Sequence, residues 1–335
     1  MEKILFGTYT NQTSKGIYQA FLDPENKSVS PAELIYQIGS PTYLAVDQKH
    51  RFIFAVDRRD NQGGVSVIDF QTNQLIDTYL TEGSSPAYLA FDDKRKLLYS
   101  ANYHKGLVEV FKVDQDGQLT LADSFQNNGS GPREEQQSSH MHYANLTPDY
   151  KLVTVDLGTD QVIIFDVDDD GHLTKYSEFK TEDGFGPRHI RFSPDGKKAY
   201  LLGELSGKLS VLNYQDGKLE LIKTLPTIPE SWTEYNGAAA LRVTKDHKFI
   251  YASNRGHNSI AIFSTENDLT FIDWAMTEGD FPRDFNLSKD DDFLIVANQK
   301  TDNASLFERD KNTGKLNLIL SNYQIPESVN VKIIK

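Results

Sequence analysis

The chain has 335 residues, a formal net charge of −13 and no cysteine. An acidic surface lacks the basic footprint that nucleic-acid binding requires, although a local arginine cluster can still hold a small anion. The absence of cysteine removes disulfides, cysteine-ligated zinc and thiol nucleophiles together.

From the N-terminus, MEKILFGTYT is too short and too mixed for a signal-peptide core and reads as a strand. GIYQAFLD and AELIYQIG supply two more strands. One phrase then returns along the chain: a Pro or small residue, an alternating strand, a charged turn and a second strand ending in small and polar residues. It appears as SPTYLAVDQKHRFIFAVD from Ser40, SPAYLAFDDKRKLLYSANY from Ser85 and SHMHYANLTPDYKLVTVDL from Ser139. It returns as GPRHIRFSPDGKKAYLLGEL from Gly186, GAAALRVTKDHKFIYASNR from Gly237 and FPRDFNLSKDDDFLIVANQ from Phe281. A truncated copy, IPESVNVKIIK, follows from Ile325. Aligned at Pro41, Pro86, Met141, Pro187, Ala238, Pro282 and Pro326, the steps are 45, 55, 46, 51, 44 and 44 residues.

A period in that range with four short strands per unit predicts an all-β fold, a seven-bladed β-propeller. Residues 1–335 are expected to form one propeller domain, because the repeat runs end to end without a linker. In the unit from Pro187, KLSVLNY and LELIKTL are the third and fourth strands, joined by the turn Gln215-Asp216-Gly217. Comparable Gly-ended turns recur at Asp114–Gly117, Asp168–Gly171 and Lys311–Gly314; such pairs supply the positive φ of tight hairpins. The 55-residue step holds an inserted polar loop, Gln126 to His140. The lone C-terminal strand SVNVKII is expected to join the three N-terminal strands and close the ring, leaving no open edge. No apolar run approaches membrane-spanning length. The expectation is a cytoplasmic protein with no membrane and no nucleic-acid partner; oligomeric state is not readable.

The repeat also maps a site. The start of each first strand and the end of each second strand meet at one rim of the central channel. First-strand starts bring Tyr43, Tyr88, His140, His142, Arg188, His189 and Arg283 to that rim. Second-strand ends add Tyr9, Asp57, Asn102, Tyr103, Asp156, Glu204, Asn254, Arg255, Asn298 and Gln299. Arg188, Arg255 and Arg283 suit a carboxylate or phosphate, which a guanidinium fork matches bidentately. A second reading has them paired with Glu204, Asp57 and Asp156, stitching blades together. His140 and Glu204 are candidates for general acid–base work, against a purely hydrogen-bonded role for the histidine. His140 and His142 can share a strand face, whereas His189 is out of phase with Arg188, so only one of those two should face the channel. A metal site of His140, His142 and His189 is not expected. His104, His172, His247 and His257 read as surface residues, and Trp232 and Trp274 as packing aromatics. GxSxG, P-loop and GxGxxG motifs are absent.

With GTYT at Gly7–Thr10, GIY at Gly16–Tyr18, SPTYLAVD, GPRHIRFSPDGKKAYLLGEL, YASNRGHNSIAIF and FPRDFNLSKDDDFLIVANQ, the chain resembles the lactonase family of seven-bladed propellers over nearly its full length. That family includes propeller-type 6-phosphogluconolactonases and the carboxy-muconate lactonizing enzyme. The resemblance implies a hydrolase, with 6-phosphoglucono-δ-lactone as the expected substrate, no cofactor and no metal. It implies catalytic roles for His140, Arg188, Glu204 and Arg255; the rim map adds Arg283, His142, His189, Asn298, Gln299 and Tyr9 as substrate-binding candidates. The partner would then be a small anionic sugar lactone. Two alternatives stay open: a cycloisomerase or lactonase acting on another carboxylated lactone, and a non-catalytic scaffold that binds a protein through its rim.

Overall fold

A computed structural model describes residues 1–334 and is almost wholly β-structure, with a single 3-10 turn at Glu134–Gln136. Seven sheets form, and six of them are built from four strands consecutive in the chain. The strands are the ones the alternating Val, Ile, Tyr and Phe pattern predicts: half-buried, β-branched or aromatic, and bounded by turn residues. In the unit from Pro187 they are Pro187–Phe192, Lys198–Gly203, Lys208–Gln215 and Lys218–Pro226. Between the third and fourth, Asp216 (φ 48°) and Gly217 (φ 69°) both adopt positive φ, as a tight hairpin requires.

The seventh sheet joins the two ends of the chain. Ser328–Ile333 pairs antiparallel with Glu2–Thr8, bringing Phe6 opposite Val331. Glu2–Thr8 in turn pairs with Gly16–Asp23. The expected third N-terminal strand forms as Glu33–Gln37, and a two-residue strand that the pattern did not show, Ser28–Val29, pairs separately with Gly16–Asp23. Pro31, which has no N–H to give a ladder, lies between the two.

The chain divides into two compact units. One comprises Met1–Ser40, Arg191–Leu212 and the stretch from Leu221 onward; the other comprises Pro41–Ile190 and Asn213–Glu220. Within each, neighbouring sheets pack face to face through their alternate residues. In the second unit Phe54, Val56, Val65 and Val67 meet Leu89, Leu98, Phe111 and Val113. In the first, Ile4, Phe6, Ala20 and Leu22 meet Phe293, Ile295, Ala297 and Ala304. Tyr200, Leu202, Leu209 and Val211 likewise meet Ala238, Ile250, Ala252 and Phe263. Each fully buried large side chain contributes about 1.5–3 kcal/mol of hydrophobic stabilisation. Among the described residues no helix is long and apolar enough to cross a membrane.

One irregularity bears directly on the site. The first strand of three blades carries a bulge near its start, between Met141 and Tyr143, Ala238 and Leu241, and Pro282 and Asp284. The extra residue at the first of these is His142, and at the third Arg283. A bulge re-aims the side chain it carries.

Candidate active site

The candidate residues form one constellation in each unit. In the second unit the centre is His140, at the end of the inserted loop. Its backbone N–H donates to Asp156 Oδ1 at 2.7 Å, and its carbonyl accepts from Leu157 N. Its ring lies on Tyr103, with centroids 4.2 Å apart and planes within 3°. His140 Nδ1 is 2.9 Å from the Tyr103 carbonyl oxygen. A carbonyl can only accept, so Nδ1 carries the hydrogen and Nε2 keeps its lone pair. Such an imidazole is set up to take a proton at Nε2.

Asp156 is fully buried and does more than hold His140. Its Oδ1 also accepts from Gly158 N, and its Oδ2 from Asn127 Nδ2 and Ser139 Oγ, so one carboxylate gathers both ends of the inserted loop. Tyr103 also meets His142 edge-on at 5.8 Å, and His142 meets His189 at 5.6 Å. His189 in turn packs on Tyr88 and Tyr143. Tyr43, Tyr88 and Tyr143 stand in a row at 4.3 Å spacings. Arg188 is only 3% exposed and donates from Nη1 to His189 Nε2 at 3.2 Å. Strand phase predicts that adjacent side chains diverge. Here both are buried and their side chains are in contact. His104, exposed beside Tyr103, has its pKa lowered by partial burial, by His140 and by Arg58. Among the described residues no group of three or more His, Cys, Asp or Glu is arranged to hold a metal ion.

In the first unit the centre is an ion pair: Arg255 Nη2 lies 2.7 Å from Glu204 Oε1, with side chains 6% and 16% exposed. Arg255 Nε donates to the Gly237 carbonyl. A Cβ at position 237 would sit 2.7 Å from Tyr235 Oη and 2.9 Å from Arg255 Nη2, so a larger residue there would push on the ends of both side chains. Burial works against the charge on Arg255, but Glu204, with the Tyr235 and Tyr9 hydroxyls, outweighs it and raises its pKa. The Arg255 guanidinium carbon stands 5.2 Å from the Phe281 ring centre, and Lys300 Nζ 4.1 Å from it. Tyr235 is parallel to Phe281 within 9°. Phe281 has φ 68°, held by its N–H to Asn258 Oδ1 and its carbonyl to Gln299 N. Backbone strain of that kind is of order 1–2 kcal/mol for a bulky residue. Arg283, on its bulge, lies over Tyr9 at 5.4 Å, and no carboxylate pairs with it among the described residues.

The two readings of the arginines therefore divide. Arg255 is committed to Glu204, while Arg283 keeps its charge available. The amides divide as well. Asn298 is fully buried, with Nδ2 turned to the Thr277 carbonyl and Ser305 Oγ. Asn102 donates to the Ser84 carbonyl, and Asn254 to the Thr227 carbonyl, from the same position in their blades. These amides fasten the incoming loop to the second strand, and Asn298 belongs with them. Gln299 has its backbone N–H on Phe281 and its Oε1 buried. Tyr9 donates its N–H to the Glu327 carbonyl. Tyr235 and Lys300 were not reachable from the repeat, because they lie in loops outside the aligned strand ends; Phe281 opens a repeat copy, but its ring contacts were not readable. Tyr103 was on the mapped rim, but its pairing with His140 was not readable.

A family model described as "Lactonase, 7-bladed beta-propeller" matches residues 3–333. An uncharacterized protein of Lactococcus lactis subsp. cremoris is 46% identical over 334 residues, covering 97% of each chain. The 6-phosphogluconolactonase of Bacillus subtilis is 38% identical over 339 residues, covering 98% of this chain and 97% of that one. Among solved structures, a Lactobacillus plantarum protein superposes with a TM-score of 0.98 at 45% identity, covering 100% of both chains. The periplasmic gluconolactonase of Pseudomonas aeruginosa superposes with a TM-score of 0.93 at 28% identity, covering 100% of this chain and 99% of that one.

Proposed function

We propose, from the premise that this chain belongs to the lactonase family of seven-bladed β-propellers and is a hydrolase of lactone esters, that its substrate is 6-phosphoglucono-δ-lactone and its product 6-phosphogluconate. The observation that carries the proposal is the state of His140: Nδ1 is occupied by the Tyr103 carbonyl, so Nε2 is the proton acceptor. Glu204 is the weaker choice of base because its carboxylate is engaged by Arg255.

His140 Nε2 takes a proton from water as the oxygen attacks the lactone carbonyl carbon. The carbonyl oxygen becomes an oxyanion, which Arg188 stabilises. Removing one such preorganised donor costs about 2.7–4 kcal/mol. The tetrahedral intermediate collapses, the ring C–O bond breaks, and the ring oxygen takes the proton back from His140. A carboxylated lactone would follow the same steps, and turnover of each substrate separates the two.

The test is hydrolysis of freshly prepared 6-phosphoglucono-δ-lactone, coupled to 6-phosphogluconate dehydrogenase. Turnover should stand well above the spontaneous rate. Arg188→Ala should lower kcat by about 100-fold or more, and His140→Ala by about 100-fold. Full activity in both variants, or no turnover by the native chain, defeats the proposal.

A further inference from the structure

The inserted loop and the segment leading into Arg188 share one anchor. Asp160, in the loop after the strand Leu152–Asp156, is 0% exposed and sits at φ 55°, a conformation that aspartate tolerates better than most residues. Its carboxylate accepts three hydrogen bonds. Oδ2 takes Gly184 N at 2.8 Å; Oδ1 takes Gly186 N at 2.8 Å and Gln136 Nε2 at 2.7 Å. No cation pairs with it among the described residues. A buried carboxylate is costly unless its lone pairs are met, and here fixed N–H groups meet them. The donors come from two places. Gln136 is the buried residue of the inserted loop's 3-10 turn, and it also donates to the Leu157 carbonyl. Gly184 and Gly186 flank the buried Phe185 and immediately precede Pro187 and Arg188. Gly184 (φ 77°) and Gly186 (φ 60°) are both in the left-handed region, which turns their N–H groups toward a single carboxylate. Pro187 has its φ fixed by its ring, so an anchor at Gly186 carries to Arg188 with little slack.

We infer that Asp160 is a positioning residue for Arg188: its carboxylate fixes the Gly184–Gly186 backbone and thereby the place from which the guanidinium meets the reacting carbonyl. The inference rests on the lactonase reading above. Asp160→Asn keeps the volume but turns an N–H₂ toward at least one N–H donor. Displacement of a catalytic group by about 1 Å can cost on the order of 100-fold in rate.

The experiment measures kcat and KM on 6-phosphoglucono-δ-lactone for the native chain, Asp160→Asn, Gln136→Met, Arg188→Ala and the Asp160→Asn/Arg188→Ala pair. Backbone hydrogen exchange over residues 181–188 is followed in parallel. Asp160→Asn should exchange faster over that segment and lose about 10- to 100-fold in kcat with little change in KM. Gln136→Met leaves both glycine bonds in place and should keep kcat near native even if it lowers Tm. In the Arg188→Ala background, Asp160→Asn should cost little more, because the two act as a unit. Native kcat in Asp160→Asn, or an undiminished loss in the Arg188→Ala background, overturns the inference while the lactonase reading stands. An inactive native chain sinks that reading and takes this inference with it.

Discussion

At the scale of the residue, the rim polar groups sort by what their hydrogen bonds already serve. Asn102, Asn254 and Asn298 spend their amides on loop carbonyls, whereas His140 spends one ring nitrogen and keeps the other. Sequence places all four on the rim but cannot tell a spent group from an available one. The histidines expected at the surface divide in the same way. His172 is exposed and bonded to Asp168, while His247 is half-buried, with Nε2 in a 2.6 Å hydrogen bond with Tyr200 Oη. Burial lowers the pKa of His247, with Asp195 and Asp246 opposing, and burial also lowers that of His257. The folded chain therefore prefers these imidazoles neutral. Their stabilisation is present above the ordinary histidine value of 6.5 and is lost as pH falls through the depressed folded values. Tm should accordingly decline as pH is lowered below about 6.5, and His247→Gln should flatten that decline. An identical Tm–pH slope in the variant would refute the assignment.

At the scale of the element, the bulges matter most. Alternation within FPRDFNLSK predicts which residues face the core, yet Arg283 owes its direction to the register shift between Pro282 and Asp284. Asp284, one residue on, is buried and bonded to Arg242 and Asn330. A regular strand would have set Arg283 and Asp284 on opposite faces by alternation alone; the bulge gives Arg283 its own direction while Asp284 keeps its partners. With no carboxylate paired to it among the described residues, Arg283 is a candidate anion site of the first unit. A charge-assisted hydrogen bond contributes about 1.5–3 kcal/mol, or roughly 10- to 100-fold. Arg283→Met should weaken binding of inorganic phosphate by that factor, and unchanged binding would remove Arg283 from anion recognition. The repeat and the hairpin turns were legible because each depends on local pattern. The bulges, the positive φ of Phe281 and the Tyr103–His140 stack were not, because each is imposed by neighbours distant in sequence.

At the scale of the whole molecule, the ends of the chain hold each other. Val329, Val331 and Ile333 are buried, and Val331 and Ile333 pack with Ile4 and Phe6. Three such side chains represent roughly 5–9 kcal/mol of burial, comparable to the total stability of many domains. Removing the last eight residues also bares the edge of Glu2–Thr8 to solvent. Tm of the truncated chain should fall by about 10 °C or more, and an unchanged melting curve would show that closure is dispensable. The sequence by itself determined the number of blades, the strands that build each of them and the closing role of the terminal strand. Those follow from a repeated period and from alternation, which are properties of neighbouring residues. Only the tertiary structure decided that Arg255 is bound to Glu204 while Arg283 is not, and that His140 presents Nε2. Charge pairing and tautomer depend on contacts a few ångströms across between segments far apart in the chain, and no local pattern encodes them.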